Sequence, residues 1–143
     1  MSQNKILFFI FIFFLFIKGL YAKPSQIVLK RRYINQYVLI MDWIVRADSW
    51  IVTHYNDTNL CRFAHSISEL LVELARKMIP PDSLKPIHPH LLIIVENMER
   101  SLYYCAQGEK KKYLKFRRIV LEEQKIIDQL LIDLHINIPM IEE

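Results

Sequence analysis

The placement of the only two cysteines constrains this chain most. Cys61 lies 23 residues before Leu84 and Cys105 lies 21 residues after it, and Pro80-Pro81 breaks the stretch between them. If both flanks are helical and the chain reverses near Leu84, the two thiols come to the same height, at the end away from the turn. In an oxidising compartment that placement favours a Cys61–Cys105 disulfide. Such a bond closes a loop of about 45 residues and would stabilise the fold by roughly 4 kcal/mol on the chain-entropy model. In a reducing compartment the same residues pack as two small buried thiols.

Both flanks read as helices. Over 59–79, Leu60, Phe63, Ala64, Ile67, Leu70, Leu71, Leu74, Ala75 and Met78 recur at the spacing of one helix face. Asn56, Asp57, Thr58 and Asn59 offer N-cap oxygens, and Pro80 supplies the stop. Over 89–107, Pro89 suits the first helical position, and Leu91, Ile94, Val95, Met98, Leu102 and Cys105 form the apolar face. Gly108 is suited to the left-handed residue that closes such a helix.

The start of the chain reads as a targeting segment. Lys5 precedes an unbroken apolar run, Ile6 to Ile17, and Gly19-Leu20-Tyr21-Ala22 ends on a small residue. Residues 1–22 are expected to be a signal peptide cleaved after Ala22, leaving one domain over 23–143. The run is shorter than the roughly 20 residues of a spanning helix, and Lys18 interrupts it. An uncleaved anchor is the alternative. Removing Lys5 and Lys18 lowers the net charge from +4 to +2. So mild a balance argues against nucleic acid as a partner and leaves at most a weak contact with an anionic membrane surface.

Two more helices are expected. In 28–55, Tyr33, Ile34, Tyr37, Val38, Ile40, Met41, Ile44, Val45, Ala47, Ile51, Val52 and Tyr55 give a broad apolar face. Trp43 and Trp50, seven residues apart, share a stripe with Arg46 and His54 nearby. That stripe is either a packed flank or a docking surface. In 110–134, Tyr113, Phe116, Val120, Ile127, Leu130, Leu131 and Leu134 give the face, widened by Ile119 and Ile126. Pro139 ends any continuation, and Glu142-Glu143 should be loose. Four helices with short connections predict an all-α, antiparallel up-down four-helix bundle.

Candidate chemistry is thin. Lys110, Lys111, Lys112, Lys115, Arg117 and Arg118 form the densest charge cluster. Cations at a helix N-terminus oppose its dipole, so the cluster is either a solvated face or a site for an acidic partner or surface. His88 and His90 flank Pro89 and are expected as cap and surface residues rather than a metal pair. Glu69 with Glu73, and Glu96 with Glu99, are expected to face solvent, and no Glu-x-x-His pair of the di-iron kind is present. No His-Glu-x-x-His zinc motif and no Cys-x-x-Cys-His haem motif occurs. Met41 and His135 are the only axial pair on offer for a non-covalent haem, and their heights on the helices disagree. No nucleophile motif stands out, so neither an enzyme nor a cofactor is expected. Asn56-Asp57-Thr58 fits the glycosylation sequon and matters only in a eukaryotic secretory route.

The stretch Pro86-Ile87-His88-Pro89-His90-Leu91-Leu92, with Glu96 to Ser101 and Gln107-Gly108-Glu109, resembles small exported helical proteins of bacteria that have no assigned activity. The resemblance implies the periplasm or cell exterior and lends no functional residue. The expected function is a non-enzymatic module that contacts a protein partner. Its candidate surface is Trp43, Trp50, Lys110, Lys111, Lys112 and Lys115. The alternatives are a secreted four-helix effector or inhibitor of cytokine type, and a ligand or haem carrier using the bundle interior.

Overall fold

A computed structural model describes residues 24–138. The expected signal segment 1–22, Pro139 and the Glu142-Glu143 tail lie outside the described residues. Within them the chain forms four α-helices: α1 Gln26–His54, α2 Thr58–Lys77, α3 His88–Ala106 and α4 Lys110–Asp133, with one 3-10 turn at Asp82–Leu84 between α2 and α3. No strand occurs among the described residues. The four expected helices are all present, with boundaries moved by one or two residues.

Those shifts have local causes. Helix α1 starts two residues early because the Ser25 side chain accepts from the Val28 N–H at 3.4 Å. Helix α2 is capped by Asp57, whose carboxylate accepts from the Asn59 and Leu60 N–H groups at 3.1 and 3.0 Å. It ends at Lys77 rather than Ile79, because Met78 is already extended (φ −67°, ψ 137°) ahead of Pro80. Helix α3 ends as expected on Gly108 (φ 73°): the Gly108 N–H reaches the Cys105 carbonyl and the Glu109 N–H reaches that of Tyr104, both at 2.9 Å. This is a Schellman closure. Helix α4 ends the same way on a residue not expected there. His135 takes φ 52°, with Ile136 N–H on the Leu131 carbonyl at 2.9 Å.

Helix α3 is the centre. Leu91, Ile94, Val95, Met98, Leu102 and Cys105 are buried, as are Ala106 and the polar Asn97 and Ser101. The polar pair is satisfied: the Asn97 amide donates to the Ile93 carbonyl (2.8 Å) and the Ser101 hydroxyl to that of Tyr113 (3.1 Å). Three seams close the bundle. Cys61–Cys105, His65–Glu99 and Arg76–Glu96 join α2 to α3. Ser101–Tyr113 and His90–Glu123 join α3 to α4. Asp48–Arg117 and Tyr55–Lys110 join α1 to α4. Along each seam the residue numbers rise on one helix as they fall on the other.

Two expectations about faces need correction. Phe63 and Leu70, assigned to the buried face of α2, are 65% and 66% exposed, and Val45, Val52, Ile126 and Leu134 also lie exposed. The buried stripe of α2 is Cys61, Ala64, Ser68, Val72 and Ala75, rotated toward α3. Small side chains at Ala64, Ser68 and Ala75 let α2 lie close against α3. The backbone of helix α1 meets that of α2 over a shorter stretch, so α1 stands further off.

Candidate contact groove and its charged surroundings

The stand-off of α1 leaves a groove of about 370 Å³ between α1 and α2. Trp43, Ala47, Trp50 and Ile51 line one wall; Leu60, Phe63, Ala64 and Ile67 line the other. Trp43 is half-buried and packs against the core, whereas Trp50 is 58% exposed. The two tryptophans therefore share a surface, as their spacing implied. Sequence reasoning missed the second wall, because it placed Leu60, Phe63 and Ile67 in the core. By helical spacing, exposed Leu39 extends the first wall one turn before Trp43, and exposed Leu70 extends the second one turn beyond Ile67. Arg46 and Ser49 give the rim polar character, and Arg46 pairs with Asp42 at 2.9 Å.

The lysines belong to a different surface, since none of them lines the groove. The Lys110 ammonium lies 3.9 Å over the Tyr55 ring and donates to the Tyr55 hydroxyl at 2.7 Å. That hydrogen bond, and the charge behind it, hold the Tyr55 phenol below its usual pKa. Lys112 pairs with Glu109 at 2.6 Å and lies 4.7 Å over the Tyr104 ring; the Glu109 hydrogen bond raises its pKa. Lys115 lies 5.6 Å over the Phe116 ring, and Lys111 is exposed. Glu109 and these rings answer part of the unfavourable charge at the start of α4.

Arg117 leaves that cluster altogether. Its guanidinium donates twice to Asp48 of α1, at 2.6 and 2.8 Å, with both side chains largely shielded. Asp48 raises the Arg117 pKa, chiefly through the hydrogen bonds. Both residues occupy positions on otherwise apolar stripes: Tyr37, Ile40, Ile44, Asp48, Ile51 on α1 and Tyr113, Arg117, Val120 on α4. A polar residue at a stripe position on each of two helices is the signal that could have paired them.

His88 and His90 are part-buried and partnered rather than plain surface residues. His88 and His90 do not converge. The Tyr33 hydroxyl meets His88 Nδ1 at 3.2 Å, and His90 Nδ1 meets Glu123 at 2.6 Å. Burial lowers the His88 pKa and raises that of Tyr33, so both groups are pushed toward their neutral forms. Glu96 and Glu99 are not free on a solvated face: Glu96 accepts from Arg76 at 2.8 Å and Glu99 lies 2.7 Å from His65 Nε2. Met41 is in the core and His135 is exposed past the end of α4. Asn56 is exposed in the turn between α1 and α2, beside the staple. Cys61 and Cys105 sit at disulfide distance with Cα atoms 5.6 Å apart, and the Tyr55 carbonyl lies against both sulfurs at 4.0 and 3.7 Å. No described helix is long and apolar enough to cross a membrane. No family model, no curated protein and no solved structure matches the chain.

Proposed function

We propose that this chain is an exported, antiparallel up-down helical bundle that works by protein–protein contact and not by catalysis. Its signal segment is 1–22, and its working compartment is oxidising, in the periplasm or outside the cell. The α1–α2 groove receives an amphipathic helix of a partner protein. The observation that carries this reading is the pairing of Trp50 and Phe63, both more than half exposed, across a groove whose walls are α-helical and whose floor is apolar. Large exposed apolar surface with a polar rim is the usual mark of an interaction site. Two tryptophan-bearing turns beside a phenylalanine supply the rigid anchors that dominate helix-in-groove binding. The lysines of α4 give a separate, weak contact with anionic surfaces.

The test is site-specific photo-crosslinking in the native host. A photoreactive side chain at Phe63 is expected to trap one discrete protein, and Trp50→Ala is expected to remove most of that product. A probe at Lys125, on the exposed side of α4, serves as the control. A Phe63 probe that yields only the control pattern, a covalent dimer of this chain, or a co-purifying small molecule contradicts the proposal. The last two results favour self-association and a carrier role. Asn56 favours one other reading, a secreted effector, because its exposed turn is open to a glycan; a glycan mass on Asn56 would support it.

A further inference from the structure

The seam between α2 and α3 holds a donor set that the spacing of the sequence does not disclose. One ligand atom from each of His65, Glu69 and Glu99 lies within 4.8 Å of the other two. His65 and Glu69 are one helical turn apart on α2, and Glu99 comes from α3, 34 residues beyond His65. We propose that these three side chains bind a divalent transition-metal ion of the zinc class. An imidazole with two carboxylates is a borderline donor set that such ions accept and that Mg²⁺ and Ca²⁺, which prefer all-oxygen shells, do not favour. Tetrahedral bonds of about 2.1 Å place ligand atoms roughly 3.4 Å apart, so the observed spread closes by small rotations of glutamate side chains. Three protein ligands leave the fourth position for water.

An ion pair alone does not account for the group. His65–Glu99 is complete at 2.7 Å without Glu69, and Glu69 makes no hydrogen bond or ion pair with any described residue. Glu73, the next turn along the same helix, has Lys77 for a partner. Glu69 thus brings a second carboxylate to within 4.8 Å of Glu99 with only one imidazole to offset the pair. A dication offsets both carboxylates at once; a singly charged imidazolium offsets one of them. The scaffold is also held in place. The Cys61–Cys105 staple lies one turn before His65, the Ser68 hydroxyl donates to the His65 carbonyl at 2.6 Å, and the Tyr103 ring packs 5.7 Å from the imidazole. This site is on the edge of α2 away from the groove and does not depend on the groove reading.

The experiment uses the oxidised, untagged protein, stripped with chelator and titrated with Zn²⁺ alone by calorimetry, with the His imidazole resonances followed by NMR. One ion per chain is expected, with the His65 ring signals shifting on saturation. Glu69→Gln, at an exposed position that folding does not need, is expected to weaken binding at least about ten-fold, and Glu99→Gln by more. Glu73→Gln is expected to leave it unchanged. Unaltered affinity in Glu69→Gln, shifts confined to the other histidines, or no saturable binding would each overturn the assignment.

Discussion

At the scale of single residues, two helix ends make the same backbone demand and receive different answers. Gly108 and His135 both close a helix at positive φ, 73° and 52°. A Cβ on Gly108 would meet nothing within 4 Å, so Gly108→Ala carries only the backbone penalty. It is expected to cost about 1 kcal/mol, and His135→Gly to gain a similar amount, both read from urea unfolding. Equal and negligible effects at both sites would contradict the closures described. Tyr113 makes a second residue-level prediction. Its hydroxyl is buried without a hydrogen-bond partner among the described residues, and burial, with Asp48 adding to it, pushes its pKa up to about 12. The folded state holds the phenol proton more tightly than the unfolded chain, whose tyrosines titrate near 10. The stabilisation is therefore full below about pH 10 and is lost as pH rises toward 12. Tyr33 and Tyr37, also raised by burial, act in the same direction. Tyr113→Phe is expected to be neutral or slightly stabilising at pH 7 and to flatten the alkaline fall. An unchanged slope would exclude Tyr113 as a contributor.

At the scale of elements, α2 teaches most about what the sequence discloses. Four helices, the reversal after Pro80, a side-chain cap within residues 56–59 and the Gly108 closure were all legible, because each rests on local chemistry. Which part of the α2 arc faces the core was not. Apolar residues cover two flanks of that helix, and periodicity alone cannot say which flank meets α3 and which borders a groove. The decisive signal was present in Cys61. Once it pairs with Cys105 it fixes the rotation, and Ala64, Ser68, Val72 and Ala75 follow at turns of three and four. The cross-helix partners were harder to read for a different reason. Asp48–Arg117 and His65–Glu99 join residues 69 and 34 positions apart; the first pair leaves only the trace of a polar residue on an apolar stripe of each helix, and nothing local distinguishes the second from surface charges. The rotated face predicts opposite responses on one helix. Leu70→Ala, at an exposed site, is expected to change stability by less than about 0.5 kcal/mol. Ala75→Leu, forced into the closely packed α2–α3 seam, is expected to destabilise by about 1–3 kcal/mol. A loss of about 2 kcal/mol or more for Leu70→Ala in thermal unfolding would return Leu70 to the buried arc first expected.

At the scale of the whole molecule, α3 is the axis on which the bundle is assembled, with α2 and α4 packed along it and α1 standing further off. The groove is the consequence of that stand-off, and the staple joins α2 to α3 near the end where the groove opens. Tyr55, at the end of α1, rests on the staple and under Lys110, so loss of the disulfide would loosen three helices together. The proposed function therefore requires an oxidised, exported chain. Its most direct test is the intact mass of the protein recovered from a native-like host, with and without reductant and alkylation. The predicted mass is that of Lys23–Glu143 less two hydrogens, with two alkylatable thiols only after reduction. A mass that retains residues 1–22, with both thiols alkylated before reduction, would contradict it.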